Sequence, residues 1–526
     1  MEDETNNMAK DREKSDRRIV PRKGSNAPRG KSTTASEQAR QLELYSEAAD
    51  SPRGDVAGAD RGRPLSGPSA VPKSEDKTGE ISPAAMTMEE IANRKNLEEA
   101  FGQVEANDGA PGPDRQSIEE VSKHLDEILP RLERELLAGT YRPGMIRRVW
   151  IPKDGGRGRR GLGIPDVIDR LVQQAVHRVL SPHYEPGFHP SSHGFRPGRS
   201  CHTAIAEARE YVAEGYDWVV DLDLEKFFDR VHHDRLIARL EQRIKDRRII
   251  QLIRRMLKAK VVMPDGVIVN TEEGTPQGGP LSPLLSNIVL DELDWELARR
   301  GYRFARYADD ANIYVRSERA AKRVMASITR FIEKRLRLKV NESKSAVARP
   351  EERHFVGFRL RREPEDGRVE VLLSKRSKKR IDRKIRELTP RNWGGSLAAC
   401  IQQLNRYLAG WFEFFKVCTL EEVRVLHALD AHIRRRLRAL ELKHWKRRRT
   451  MAQRLIQLGV RPKTAWRHVY QHRRRIWFLS HCSAVDRGMN NAYFAARGLL
   501  SLEQQWHERH PRDVNEVPVQ LRLALG

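Results

Sequence analysis

Two adjacent carboxylates, Asp309 and Asp310, are the residues of this sequence best placed to do chemistry. They lie between two short strand-like runs within residues 302–315, a pattern that predicts a β-hairpin with both acids at the join. Neighbouring aspartates repel each other at neutral pH, and a divalent metal ion is the simplest group to offset that repulsion. Taken alone, the pair favours an ordinary solvated acidic turn, and only the rest of the chain reverses that weighting.

A second acidic segment runs from Asp217 to Leu224 and reads as a strand that ends in carboxylates. A period of two places Asp221 and Asp223 on the same face of this strand. A carboxylate at a strand end is well placed to hold a metal ion, although capping the following helix is the alternative. His232 and His233 follow and read as polar residues at a helix start rather than as ligands.

Three turn-rich loops precede or separate these acidic segments. Residues 149–165 predict a hairpin with a flexible Gly- and Arg-rich tip, where Lys153 and Arg160 supply positive charge for a phosphate. In residues 192–200, Arg196 and Arg199 could bind template phosphates or simply be solvated, and Ser200 can cap the next helix. Residues 274–283 form a rigid loop that leads into an amphipathic helix, for which Gly301 is the natural stop.

The charge balance points to a polyanionic partner. The 526 residues include 98 Lys or Arg and 73 Asp or Glu, a net charge of +25. An excess of this size favours a nucleic acid, because phosphate contacts release counterions, over a merely basic soluble protein. The four cysteines are widely spaced, so neither a zinc site nor a disulfide framework is indicated. With no apolar run of membrane-spanning length and no signal segment, we expect a bacterial-type cytosolic protein.

Composition divides the chain into four parts. Residues 1–85 are too polar to offset chain entropy and are expected to be a disordered leader. Residues 86–360 mix helical and strand patterns, residues 361–475 are strongly helical, and residues 476–526 form a helical extension. Between residues 431 and 450 stand nine Lys or Arg and one acid, which favours a nucleic-acid-binding helix over a solvated face. The arginines expected to contact RNA are Arg434, Arg435, Arg436 and Arg438.

Taken in order, these blocks resemble the reverse transcriptases encoded by group II introns, also called intron maturases. The resemblance runs from about Asn107 to Arg449 and rests on eight blocks whose order is far more specific than any one of them. They are Gly-Ala-Pro-Gly at Gly109, Ile-Pro-Lys at Ile151, Gly-Phe-Arg-Pro-Gly at Gly194, Asp-Leu-Glu-Lys-Phe-Phe-Asp at Asp223, Pro-Gln-Gly-Gly-Pro-Leu-Ser-Pro at Pro276, Tyr-Ala-Asp-Asp at Tyr307, Phe-Val-Gly-Phe at Phe355 and Leu-Asn-Arg-Tyr-Leu-Ala-Gly-Trp at Leu404.

The resemblance implies an α+β right-hand polymerase fold, with fingers and palm built on antiparallel sheet and an all-α thumb or maturase domain after them. It implies that Asp223 and Asp309 bind two Mg²⁺ ions, that Asp310 assists and that the Leu224 carbonyl adds a ligand. The remaining implied roles are a triphosphate clamp at Lys153 and Arg160, a gate against ribose at Phe228, a contact to the nascent pair at Gln277, protonation of pyrophosphate by Lys344, and a primer grip at Phe355, Gly357 and Phe358.

Two departures from the family pattern stand out. Gly161 occupies a position where the family usually has proline, and no Cys-rich H-N-H nuclease module follows the thumb, so we expect no endonuclease activity and priming from elsewhere. Three functions remain open. They are an RNA-directed DNA polymerase that also acts as a maturase on its own intron RNA, a free-standing relative recruited for host defence or repair, and an RNA-binding splicing factor with a vestigial polymerase site. The expected partners of the polymerase are an RNA template, a DNA primer or target DNA, and dNTPs; the sequence leaves the oligomeric state open.

Overall fold

A four-stranded antiparallel sheet carries both acidic segments. The computed structural model describes residues 86–152, 158–471 and 475–511, and the predicted leader and Lys153 lie outside these ranges. The sheet has the order β6-β7-β3-β8. Its strands are β3 (Trp218–Leu222), β6 (Arg303–Tyr307), β7 (Asp310–Val315) and β8 (Ala346–Ala348).

Two further sheets, one of four strands and one of two, complete the strand inventory of the described residues. One has the order β2-β1-β4-β5 and is mixed rather than purely antiparallel, because β1 pairs in parallel with β4. The other is an antiparallel pair of β9 and β10. The strands are β1 (Ile146–Pro152), β2 (Arg159–Ile164), β4 (Val261–Val262), β5 (Ile268–Val269), β9 (Phe358–Arg362) and β10 (Val369–Leu373).

Helices surround the sheets in residues 86–357 and dominate after β10, as the composition predicts. The first group is α1 (Met88–Ala92), α2 (Arg94–Ala106), α3 (Ile118–Lys123), α4 (Leu125–Leu137), α5 (Val167–Tyr184), α6 (Cys201–Ala213), α7 (His233–Arg243), α8 (Arg247–Leu257), α9 (Ser282–Arg299) and α10 (Glu318–Phe331). The second is α11 (Lys375–Leu388), α12 (Leu397–Phe415), α13 (Val423–His444), α14 (Arg448–Gln457), α15 (Pro462–Gln471), α16 (Ile476–Leu479), α17 (Ser483–Gly488), α18 (Asn491–Ala495) and α19 (Leu502–Arg509).

Local signals account for several helix ends. The Ser200 hydroxyl accepts the Thr203 N–H, and the Thr203 hydroxyl accepts the Ser200 N–H, so the predicted cap of α6 is confirmed as a reciprocal pair. Gly301 has φ of 72° directly after α9, and Tyr302 N–H donates to the Leu297 carbonyl. This left-handed stop sends the chain into β6, so α9 delivers the acidic hairpin.

The central sheet lies between two apolar cores because successive side chains of a strand point to opposite faces. Val220 and Ile313 pack into the first core, which includes the helices of residues 86–336 except α6, whose buried residues belong to the second core. Val219 and Tyr314 pack into the second core, with β9, β10 and the C-terminal helices. The predicted division at residues 360 and 361 falls inside β9, and the domain limits stay a prediction. No helix in the described part of the chain is long and apolar enough to cross a membrane.

Candidate active site

The acidic hairpin is built as predicted. Tyr307 pairs with Asp310 across β6 and β7, so Ala308 and Asp309 form a two-residue turn. Ala308 has φ of 56° and is buried. This left-handed conformation costs a residue with a Cβ about 1–2 kcal/mol, so surrounding contacts must hold the turn. Asp309 and Asp310 are both half-buried.

Asp223 follows β3 directly, and β3 pairs with β7 along its length. The downstream segment Asn341–Ser345 fixes its backbone. Asp223 N–H donates to Ser345 Oγ at 3.0 Å, and its carbonyl accepts the Asn341 N–H at 2.8 Å. Lys344 Nζ lies 3.2 and 3.3 Å from the two carboxylate oxygens of Asp223. Residues from three separate segments therefore meet at the end of β3.

Repulsion between carboxylates is the main electrostatic feature of this cluster. Burial raises the pKa of Asp309, the Asp223 charge raises it further, and the Arg160 and Lys344 charges oppose the shift. Burial also raises the pKa of Asp310 well above its usual range, with added repulsion from Asp221, Asp309 and Asp223. The sheet thus gathers acidic side chains in a place where protein cations offset only part of their charge.

These residues fit a magnesium site in charge and donor type. Mg²⁺ is bound in proteins by carboxylate oxygens and water, and Asp223, Asp309 and Asp310 supply carboxylates that interact through space. Within the described residues, no group of three or more His, Cys, Asp or Glu side chains is already drawn together as a metal cluster. The carboxylates therefore have the charge and donor type that a divalent cation requires, but they do not form a closed ligand cluster in this structure. Leu224 forms an isolated antiparallel bridge with Val340, and its side chain is buried in the first core.

A glycine-rich loop contacts both the β1–β2 hairpin and the segment that carries Phe228. In residues 274–279, the Gln277 carbonyl accepts the Gly163 N–H of β2 at 2.7 Å. The same loop fixes Phe228, because Thr275 N–H donates to the Phe228 carbonyl at 2.6 Å. Gly274 has φ of 93°, and a Cβ there would lie 2.8 Å from the Phe228 oxygen. The loop therefore sets the relative positions of β2 and Phe228, and Arg160 lies on that strand.

The predicted primer grip is only in part a surface feature. Phe355 and Phe358 exchange two backbone hydrogen bonds, at 3.0 and 2.8 Å, and both side chains are buried in the second core. Gly357 has φ of 99° between them, and a Cβ there would lie 3.3 Å from the Phe414 and Phe415 rings. A primer would therefore meet the backbone of this turn, because the phenylalanine rings are used for packing.

Several arginines predicted to bind nucleic acid are used within the fold. Arg196 is buried, and its guanidinium donates to Glu185 Oε1 at 2.8 Å and to the Ser192 carbonyl at 2.8 Å. Arg199 is half-buried and donates to the Pro190 carbonyl. For Arg196 the expected phosphate contact is replaced by internal acceptors, which come from a preceding segment and are invisible to a charge count.

The basic helix α13 shows the same effect. Arg438 is buried, pairs with Asp486 and donates to the Met489 carbonyl at 2.9 Å. Arg436 donates to the Thr389 carbonyl at 2.6 Å, and the Arg435 guanidinium lies 4.2 Å from the centre of the Trp477 ring. Arg434 makes no hydrogen bond or ion pair within the described residues. The predicted RNA contacts of these four arginines stay a prediction, and the guanidinium groups of Arg436 and Arg438 already donate to acceptors within the fold.

Sequence reasoning missed the residues that support the acidic turn from inside. Arg306 of β6 and Asp294 of α9 form a fully buried ion pair, and Arg306 also donates to the Ala308 carbonyl. On the sheet, Asp221 pairs with Arg353. The one available signal was a lone charge inside the apolar run Phe304-Ala305-Arg306, because a charge in a buried strand requires a partner.

Two family models match the chain. The model of reverse transcriptase (RNA-dependent DNA polymerase) matches residues 151–360, and the group II intron maturase-specific domain matches residues 378–456. The group II intron-encoded protein LtrA of Lactococcus lactis subsp. cremoris is 43% identical over 169 residues, which are 32% of this chain and 28% of that protein. Protein YkfC of Escherichia coli (strain K12) is 41% identical over 194 residues, 36% of this chain and 50% of that protein.

The aligned region thus spans half or less of these relatives' own length. Among solved structures, a partial Cas6-RT-Cas1–Cas2 complex is similar with a TM-score of 0.30 and 24% identity, over 46% of this chain and 42% of that one. A telomerase from Candida albicans has a TM-score of 0.35 and 13% identity, over 57% and 59%. The assignment therefore rests on the two family models and the sequence relatives. Residues 151–360 are therefore similar to reverse transcriptases and residues 378–456 to the group II intron maturase-specific domain, and the relatives of this chain include a group II intron-encoded protein.

Proposed function

We propose that this protein is an RNA-directed DNA polymerase with its active site at Asp223, Asp309 and Asp310, and that its helical region binds group II intron RNA as a maturase. The observation that carries the polymerase proposal is the meeting of these three carboxylates at adjacent strand ends, with Lys344 Nζ at 3.2 Å from Asp223. All of them lie within the residues matched by the reverse transcriptase model. The substrates would be dNTPs, an RNA template and a DNA primer or target DNA.

The three carboxylates would hold two Mg²⁺ ions. When bound, the ions lower the pKa of the primer 3′-hydroxyl and neutralise charge on the attacked phosphate and the departing pyrophosphate. The protein's own residues would position the substrates. Arg160 is close enough to affect the Asp309 pKa, so its charge is available to a triphosphate, while Lys153 remains a clamp residue predicted from the sequence.

Other residues would select the incoming nucleotide and help to release pyrophosphate. The Phe228 ring would exclude a ribose 2′-hydroxyl, and the hydrogen bond from Thr275 to the Phe228 carbonyl supports a fixed gate. Gln277 would contact the nascent pair from the same loop. Lys344 Nζ lies 3.2 Å from Asp223 Oδ2 and would donate a proton to the leaving pyrophosphate. The backbone turn at Gly357 would contact the end of the primer.

The maturase proposal rests on residues 378–456, which match the maturase-specific domain and include α13 and most of α14. This match favours group II intron RNA as the bound RNA, and none of the contacts described above favours host defence or repair. The four cysteines are all buried and form no disulfide, which supports work in a reducing cytosol.

Primer extension on an RNA template tests the polymerase proposal. The wild type with Mg²⁺ and dNTPs should extend a DNA primer, and Asp309→Asn combined with Asp310→Asn should lower the rate by about 10²–10⁴-fold, because each carboxylate helps to place a metal ion. Thermal unfolding of both proteins provides the control for folding. Full activity in the double variant would show that the site is assigned wrongly.

A further inference from the structure

Arg306 is a fully buried arginine two residues before the Ala308–Asp309 turn. Removing a charge from water is costly unless it is paired and every donor is satisfied. Arg306 meets both conditions, because Nε and Nη2 donate to the two oxygens of Asp294 at 2.7 and 2.5 Å. Nη2 also donates to Ser192 Oγ at 2.6 Å, and Nη1 donates to Asn287 Oδ1 at 3.1 Å.

The fifth N–H of Arg306 reaches the catalytic turn itself. Nη1 donates to the Ala308 carbonyl at 2.7 Å. That carbonyl belongs to the peptide between Ala308 and Asp309, so the bond fixes the orientation of the peptide plane from which Asp309 starts. It also acts on the one residue of the turn with left-handed φ. Among the acceptors that satisfy this guanidinium, the Ala308 carbonyl is the one that belongs to the turn.

The same network presses a second loop against the turn. Ser192 forms a parallel bridge with Arg306, and Asn287 Nδ2 donates to the Gly194 carbonyl at 2.9 Å. A Cβ on Gly194 would lie only 2.4 Å from Ala308 N. The turn is thus held from the inside by Arg306 and covered by a loop that the same side chains tie down.

We propose that Arg306 is a positioning residue for nucleotide addition, which sets the direction of the Asp309 carboxylate through the Ala308 carbonyl. This inference rests on the proposed function, since Asp309 is a predicted metal ligand. Asp294 has the supporting task of orienting the guanidinium, because its two oxygens accept Nε and Nη2 and leave Nη1 directed at Ala308. The planar fork of arginine is essential to this geometry.

Arg306→Lys is the first test. Lysine keeps a positive charge for Asp294, but one ammonium group lacks the rigid fork that serves Asp294 and Ala308 together. We expect kcat for primer extension to fall roughly 10- to 100-fold, as for a misplaced reacting group, while KM for dNTP stays within about twofold because no contact to the nucleotide is removed. Binding of Mn²⁺, followed by electron paramagnetic resonance without substrate, should weaken in parallel.

Arg300→Lys is the matched control. Arg300 directly follows α9, the helix that carries Asp294. Its guanidinium donates to Glu296 of that helix and to Ser327 Oγ at 2.7 Å, away from the turn. It should keep the turnover and the Mn²⁺ affinity of the wild type. A second variant, Arg306→Met with Asp294→Leu, removes both buried charges and so leaves no unpaired ion in the core. Its Tm should fall only moderately, because no buried charge is left unpaired and only neutral acceptors such as the Ala308 carbonyl lose a donor. Its turnover should fall at least as far as that of Arg306→Lys.

The outcomes separate the two proposals. The positioning role is overturned if folded Arg306→Lys, or the folded variant Arg306→Met with Asp294→Leu, has the turnover and Mn²⁺ affinity of the wild type. The polymerase proposal is untouched by that result. If the wild type fails to extend a primer, the polymerase proposal fails, and the Mn²⁺ affinity of Arg306→Lys still decides whether the guanidinium positions the carboxylate. Equal losses in Arg300→Lys would also overturn the positioning role, because the effect would then be general.

Discussion

The acidic hairpin and the basic helix α13 were both recognised from charge, and the structure treats their charges differently. At the hairpin, half-buried carboxylates repel one another, and Arg160 and Lys344 offset only part of that repulsion. On α13, Arg436 and Arg438 are already bonded to acceptors elsewhere in the protein. A charged group whose charge is only partly compensated by the protein indicates a bound ligand, whereas a charged group with a buried partner stabilises the fold.

The difference arises from where each partner lies in the sequence. Asp309 and Asp310 are adjacent, so their repulsion is present in the sequence before the chain folds. Arg438 finds Asp486 only when α13 packs on α17, and an arginine-rich run gives no sign of that contact. Clusters of like charge within a short loop are therefore stronger functional signals than the same charges spread along a helix.

Apart from replacing the carboxylates themselves, the largest expected effect would come from disturbing the loop that covers the hairpin. Gly194→Ala places a Cβ 2.4 Å from Ala308 N, so either the loop or the turn must move. A shift near 1 Å at reacting groups lowers turnover by about 100-fold, and we expect a loss of that order in single-turnover primer extension. Gly102→Ala is the matched control, because a Cβ there meets nothing within 4 Å. Unchanged turnover in folded Gly194→Ala would mean that the turn is loosely held.

Replacing Arg438 and Arg434 of α13 by the same residue, methionine, tests whether the first has a structural role and the second the predicted RNA-binding role. Arg438→Met leaves the buried Met489 carbonyl without a donor, so the free energy of unfolding should fall by about 1–3 kcal/mol, measured by denaturant titration. Arg434→Met should leave stability unchanged and reduce the slope of log affinity against log salt for intron RNA by about 1.

The reverse pattern would break the comparison. If Arg438→Met lowered the salt slope without loss of stability, this arginine would bind RNA as the sequence predicts. If Arg434→Met left the slope unchanged, the exposed part of α13 would be an ordinary solvated face, and intron RNA would have to bind elsewhere.

The smallest effect concerns a carboxylate outside both regions. Burial raises the pKa of Asp166 to about 6, with further repulsion from Asp114 and Asp169. Because this value exceeds that of an unfolded aspartate, about 3.9, the protonated form favours folding, and its contribution is lost as pH rises through about 6. Asp166→Asn should therefore raise Tm by about 1–2 °C at pH 7.5 and not at pH 4. A Tm gain of equal size at both pH values would contradict this sign.

Local features were predictable because they depend on nearby residues. The turn at Asp309, the cap at Ser200 and the stop at Gly301 are all found where the residue types place them. The support of the turn was not predictable. Arg306 and Asp294 lie on different elements, and their pairing depends on how α9 returns along β6. The burial of Phe355 and Phe358 was not predictable either. Their sequence is compatible with a surface primer grip or with core packing, and the helices that pack against them decide between the two.

The hydrogen bonds that hold Asp223 have a consequence for synthesis. Its N–H is bonded to Ser345, 122 positions further along the chain. At about 5–20 residues per second, a ribosome needs on the order of ten seconds to produce that partner after Asp223 itself. A nascent chain truncated before this point would carry every predicted metal ligand and still lack the contacts that orient the first of them. The geometry of the acidic cluster is therefore completed only after residues 341–345 have been synthesised.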